Sequence, residues 1–401
     1  MPELPASGIP FDRTRLTRRG FMAAGIAGGL TLAACSKSKS QVTGTAAMSA
    51  AIAAAEAARP HSGRTVTATL TPQPTPIDLG GPIVHTLAYG NTIPGPLIRA
   101  SIGDELVVTV SNRLDHPTSV HWHGIALRND MDGAAPATPN IDAGQDFTYR
   151  FTVPNSGSYW AHPHTGLDAD TGLYLPVIVD DPTEGNYDAE WIVVLDDWTD
   201  GVGKSPQQLY NELTSPNKPP MSNMPGTSET TSTSPTSSTT PTSSTTSTTL
   251  TTSTTSTSPT SSATSTTATP TPQGSVGKSD LLGGDSGDIA YPYYLINGRI
   301  AAAPTTFNAK PGQRIRIRFI NAGSDTTFRV ALAGHSMTVT HTDGYPVVPT
   351  QVDALLIGMA ERYDVIVTAA DGVFPLVALA EGKNDLARAL LSTGSGASPD
   401  P

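Results

Sequence analysis

Two short segments concentrate the chain's capacity for chemistry: HWHG at residues 121–124 and WAHPHTG at residues 160–166. The 401 residues include nine histidines, and four of them fall in these two His-x-His pairs. In an extended strand, residues i and i+2 leave the same face, about 6.5–7 Å apart along the chain. His121 and His123 therefore project together with Trp122 on the opposite face, and His162 and His164 do likewise around Pro163. A proline donates nothing to a ladder, which places the second pair at a sheet edge or strand end. Two such strands side by side would make four imidazoles converge on a metal. Imidazole suits copper, zinc, iron and nickel, so the pairs alone leave the metal open. A zinc hydrolase built on strand-borne His-x-His pairs fits the spacing too.

The elements that position these pairs read as strands. The chain has 37 glycines, 35 prolines and only 6% aromatic residues. Val/Ile/Thr runs such as RTVTATL, ELVVTVSN, FTYRFTV and LYLPVIVDD are separated by Gly, Pro, Asn and Asp clusters. That pattern predicts an all-β chain of half-buried strands. A formal charge of −11 excludes a nucleic-acid partner, which requires a basic face.

The strands fall into two units. Residues 65–182 form the first and residues 188–380 the second, leaving 381–401 as a tail. SIGDELVVTVSN (101–112) and KPGQRIRIRFIN (310–321) share a Gly, an alternating strand and a closing Asn, so the units read as copies. Carrying that register forward sets His121 and His123 opposite Val330 and Leu332. One copy holds the ligands, and the other has apolar residues in their place. Within the second unit, Thr227 to Gln273 is almost entirely Ser, Thr and Pro. Such a stretch buries too little apolar surface to offset its ordering entropy, so residues 222–280 are expected to be a disordered insertion.

The N-terminus reads as an address. Arg13, Arg15, Arg18 and Arg19 precede an uncharged stretch from Phe21 to Ala34 that is too short to span a bilayer. TRRGFM (17–22) resembles a twin-arginine export signal, and LAAC (32–35) resembles a lipobox. The single cysteine, Cys35, would then be the lipidated first residue of the mature protein, and residues 36–64 a small, polar, Ala-rich tether. The expected location is the outer face of the cytoplasmic membrane, with membrane contact only through that lipid.

YGNTIPGPLIRA, SVHWHGIALRNDMDG and GSYWAHPHTGLDADTGLYLPVIVDD resemble the first domain of the multicopper oxidases, which include laccases and bacterial cuprous oxidases. YLINGR and GHSMTVTHTDGYPV are similar to the copper-free middle domain of that family. With its signal, the chain looks closest to the exported lipoprotein multicopper oxidases of mycobacteria. The resemblance implies two Greek-key cupredoxin-like domains. It implies that His121 ligates a type 2 copper and that His123, His162 and His164 ligate the type 3 pair. Asp132 matches an acidic residue that assists proton delivery to oxygen, although a turn residue before Gly133 would also be an Asp. Trp122 and Trp160 are expected to pack around the cluster, and His335 and His341 to be packing or turn residues.

The resemblance also implies a third cupredoxin domain that supplies four more histidines and the cysteine of a type 1 copper. EGKNDLARALLSTGSGASPDP, which follows Ala380, contains no His, Cys or Met. A blue-copper site needs a His₂Cys set. The expectation is a truncated or split multicopper oxidase whose third domain comes from a separate chain or reading frame. Its function by resemblance is oxidation of a small reducing substrate, Cu(I) or a phenol, with O₂ reduced to water. The alternative is a non-catalytic copper-binding lipoprotein at the cell surface.

Overall fold

Alternating strands assemble into two β-sandwich domains in the computed structural model, which describes residues 40–185, 187–215, 276–394 and 396. The signal, Cys35 and the Ser/Thr/Pro-rich run 227–273 lie outside the described residues. In the first domain, Thr65–Leu70, Glu105–Ser111 and Asp146–Thr152 form one sheet. Ile98–Ser101, Leu175–Asp180, Gly157–His162 and His121–His123 form the other, in that order. Leu106, Val108 and Val110 alternate along their strand and meet Trp122, Tyr149 and Phe151 in the core between the sheets.

The second domain repeats this plan. Ala189–Trp198 runs parallel to Arg314–Asn321 as Thr65–Leu70 runs parallel to Glu105–Ser111. The repeat extends to single side chains. Asn112 donates to the carbonyls of His116 and Ile141 and accepts from the Leu114 amide. Asn321 donates to those of Thr326 and Ile357 and accepts from the Gly323 amide. Phe328–Leu332 pairs with Val373–Ala380 as His121–His123 pairs with Gly157–His162. The gapless register does not carry through to the histidines: Val330, Leu332 and Ala378 face the second core, as Trp122 and Ala161 face the first, while His121, His123 and His162 face away from it. Asn112 bonds four residues ahead, to His116, and Asn321 five ahead, to Thr326, so the second copy has one more residue before this strand and its inward positions shift by one.

The two domains are welded by polar and apolar contacts. In Arg314–Asn321, Ile315, Ile317 and Phe319 enter the core, while Arg316 and Arg318 point the other way. That outer face is not solvent: Arg316 and Arg318 are 3% and 1% exposed. Asp364 accepts from Arg316 (2.6 Å), from Arg318 (2.9 Å) and, across the domain boundary, from Ser158 Oγ (2.5 Å). Beside it, an apolar junction joins Ile77, Val84 and Trp160 of the first domain to Val194, Trp198 and Leu295 of the second.

Three segments differ from their compositional reading. The Ala-rich stretch assigned to a tether contains an α-helix, Ser40–Ala57, consistent with the helix preference of alanine, and it ends shortly before Pro60. Gly277 and Ser279, assigned to the insertion, bond to the Gly382 carbonyl and the Glu381 carboxylate. The segment assigned to a tail carries a core strand, Asp385–Ser392, which pairs with Val373–Ala380. Its Ala, Leu and Arg content favours helix, but burial of Ala387, Ala389 and Leu391 in the second core overrides that preference.

Candidate metal centre

The strand His121–His123 is three residues long and lies at the edge of its sheet, antiparallel to Gly157–His162. The register pairs His121 with His162 and His123 with Trp160, so these four side chains share one face while Trp122 and Ala161 turn into the core. One ring nitrogen each of His121, His123 and His162 falls within a 4.8 Å group. The strand ends at His162, and His164 continues beyond it, tied by its amide to Ser119 Oγ at 2.9 Å. The His164 ring lies 4.2 Å from that of His121 and 5.2 Å from that of His162. Thus three imidazoles converge and the fourth packs against them at the rim. Trp160 is the floor of the group: its ring stacks on His162 at 4.2 Å and on His123 at 5.1 Å.

Hydrogen bonds orient the rings. His121 Nδ1 is 2.9 Å from the Asp132 carbonyl and His162 Nδ1 is 3.0 Å from the Pro163 carbonyl. A carbonyl only accepts, so assigning tautomers by these partners puts the proton on Nδ1 and frees Nε2 in both rings. His162 Nε2 then faces His123 Nδ1 at 3.2 Å, and the His123 N–H donates to it in the metal-free protein. Burial, followed by the Arg362 and His121 charges, pushes His123 down to about 4. Burial, with the neighbouring imidazoles, pushes His162 down to about 3. Burial also lowers His164. It works against protonation of His121 as well, but bonds to Asp132 outweigh it and hold that ring above its ordinary range. Neutral imidazoles are the form that binds metal.

Asp132 follows the short 3₁₀ turn Asn129–Met131 and immediately precedes Gly133. Gly133 has φ +76°, and a Cβ there would collide with the Val120 carbonyl. The turn and the site are therefore one device: it brings the Asp132 carbonyl to His121 Nδ1 and the carboxylate Oδ1 to 3.2 Å from the same atom. His335 and His341 are not in the converging group. His335 bridges the Ala333 carbonyl and the Ala370 amide beside Phe374. His341 bonds to Glu184 at 2.9 Å and is buried beside Arg316.

Residues that sequence reasoning did not single out come from the second domain. Arg362 donates to the Ser158 carbonyl at 3.1 Å and stands over the Tyr159 ring at 5.8 Å. Asp343 pairs with it at 3.0 Å. Both are distant from the histidines in sequence; Asp343 lies within GHSMTVTHTDGYPV, where nothing sets it apart from a turn residue before Gly344, and Arg362 lies in none of the quoted motifs.

The fold is a pair of cupredoxin-like domains, and the converging imidazoles are a group that could hold a metal ion. Comparison with known proteins narrows the class. Multicopper oxidase family models match residues 74–184 and 189–396. The chain is 67% identical over 402 residues to multicopper oxidase MmcO of Mycobacterium tuberculosis, covering 100% of this chain and 71% of that protein. It is 31% identical over 332 residues to a copper resistance protein A homolog of Pseudomonas syringae pv. tomato, covering 82% of this chain and 51% of that protein. The crystal structure of laccase from Botrytis aclada shares the fold, with TM-score 0.61 and 24% identity, over 86% of this chain and 55% of the laccase. The chain belongs to the multicopper oxidase family of oxidoreductases. Copper is the metal that membership implies, and a group of neutral imidazoles fits it.

Proposed function

We propose that this chain supplies half of a trinuclear copper site, with His121 holding a type 2 copper and His123, His162 and His164 holding the type 3 pair. The observation that carries the reading is the 4.8 Å group of ring nitrogens from His121, His123 and His162, with His164 against its rim. Bound copper supplies electron transfer from a small reducing substrate, Cu(I) or a phenol, to O₂, which becomes water. The chain's residues do the rest. Burial keeps His123 and His162 unprotonated, and Trp160 fixes their ring planes. Asp132 fixes the His121 tautomer and places a carboxylate where a proton could be handed on. The remaining ligands, and the cysteine of a type 1 site, come from outside residues 1–401, in a further domain or a separate chain.

The test is copper loading of the chain alone and of the chain fused after Pro401 to a cupredoxin domain carrying those ligands. The chain alone is expected to bind copper, stay non-blue because Cys35 is its one cysteine, and take up no oxygen beyond free copper. The fusion is expected to turn blue and consume oxygen, and His162→Ala is expected to abolish the uptake. A blue, oxygen-reducing preparation of the chain alone would overturn the reading. The exposed His164 at the rim favours a second reading, a copper-binding surface protein without turnover. A fusion that binds copper but never reduces oxygen would select it.

The signal supports export and anchoring as a lipoprotein on Cys35. Cys35→Ala is expected to move the protein from the membrane fraction to the soluble fraction. Unchanged anchoring in that variant would remove the lipoprotein reading.

A further inference from the structure

The second domain holds no member of the histidine group, yet it places a buried cation against it. Arg362 opens the strand Arg362–Thr368 and is 4% exposed. Its guanidinium is held by the carbonyls of Ser158 (3.1 Å), Ala360 (3.1 Å) and Asp343 (3.0 Å). Carbonyls orient a guanidinium without cancelling its charge. Among the described residues, Asp343 pairs with it at 3.0 Å and Asp364 and Glu361 act on it from further off; Asp343 is 52% exposed, so water weakens its compensation.

The residue after His123 is adapted to this neighbour. Gly124 has φ +85°, and a Cβ there would collide with Arg362 Nη2. Glycine lets the guanidinium lie directly on the backbone that carries His123. The Tyr159 ring closes the other side, with the Arg362 Cζ 5.8 Å from its centroid. The charge is therefore fixed in position, desolvated on several sides, and nearer to His123 than any local sequence pattern would suggest.

We infer that Arg362 and Asp343 of the copper-free domain form a charge pair that tunes copper held at His123, Arg362 favouring Cu(I) over Cu(II) and Asp343 opposing it. This rests on the half-site reading of His123. The physical reason is the extra unit of charge on Cu(II), which a nearby fixed cation repels more than it repels Cu(I). Both are positioning residues, acting through the field at the imidazole rather than by touching the metal. A role confined to holding the domains together would make no distinction between the two oxidation states.

The test measures Cu(I) and Cu(II) affinities of the full chain at pH 7 by competition with chromophoric chelators. All variants carry Cys35→Ser, because a free thiolate would itself take Cu(I). Arg362→Gln is expected to raise the Cu(II)-to-Cu(I) affinity ratio about three- to tenfold, the scale of one unit charge a few residues' breadth away at the effective dielectric of a protein. Asp343→Asn is expected to lower the ratio by a similar factor, and Arg362→Lys to stay within about twofold of the parent. The opposite signs are the signature, since structural loosening would push both variants the same way. Should Arg362→Gln fail to fold, the exposed Asp343→Asn carries the test alone. An Asp343→Asn ratio that is unchanged or raised, while His123→Ala weakens copper binding, overturns the inference and leaves the half-site standing. Affinities indifferent to His123→Ala overturn both.

Discussion

Asp364→Ala is expected to lower the stability of the residue 59–401 unit by about 3–5 kcal/mol, the cost of breaking a buried ion pair from one side. The Asp364 side chain is 1% exposed and accepts from Arg316, Arg318 and Ser158. Without it, Arg316 keeps Glu184 and His341, and Arg318 keeps Glu190, Ser158 Oγ and, at 4.0 Å, Asp180. Two guanidinium charges would then share less compensation inside the domain boundary, and Ser158 would lose its acceptor. Ser158 lies in Gly157–His162, the strand that carries Trp160 and His162, so the loss should reach the metal centre as well. Denaturant unfolding measures the first effect, and copper affinity at fixed pH measures the second. Asp364→Asn keeps an acceptor and should cost less. A loss below about 1 kcal/mol for Asp364→Ala would show that the arginines find water or other partners.

That network also explains where sequence reading stops. RIRIRF is legible as an alternating strand, because period-2 alternation records which side faces a core. Alternation does not say whether the charged side faces water, and here it faces the linker and the first domain. Arg362 and Asp343 are silent for the same reason: their importance arises from docking, which neither strand spacing nor the turn Asp-Gly at 343–344 records. The histidine pairs are legible because strand geometry alone forces i and i+2 together, and the repeat is legible because Asn112 and Asn321 close both copies in one register. ARALL lies in the segment assigned to a tail; its residues prefer helix, and sheet pairing in the second core outweighs that preference. Trp160 was read as packing, and its position opposite His123 gives that packing a direction.

His162→Ala is expected to weaken copper binding by roughly a hundredfold or more, since even losing a group behind a ligand costs 10–100-fold. His335→Ala, outside the group, should leave it unchanged. His162 is central because it sits opposite His121 in register and faces His123 Nδ1 at 3.2 Å. The same geometry predicts the pH dependence of binding. Protons compete for an ordinary histidine below about pH 6.5. At His123 and His162 that competition is deferred to about 4 and about 3, because burial disfavours the charged ring. At His121 the shift is upward, because Asp132 stabilises the charged ring, so protons compete there first as the solution is acidified. Copper binding should therefore weaken in two steps: a first step above the ordinary histidine range, from His121, and a second near pH 4 and below, from the His123–His162 pair. In the metal-free chain the two groups affect stability with opposite signs. His123 and His162, lowered on folding, contribute no penalty above about pH 6.5 and destabilise progressively as pH falls toward 4 and 3, where the unfolded chain binds more protons. His121, raised on folding, adds stability below about pH 6.5 that is lost as pH rises through its folded value. Copper titrations carried from about pH 8 down past the His162 value of about 3 separate the two steps. His121→Ala should remove the first, and Asp132→Asn should move it to lower pH by withdrawing the carboxylate. A single step centred near pH 6.5, insensitive to both substitutions, would mean that the rings titrate as solvent-exposed histidines and that the buried pair does not hold the metal.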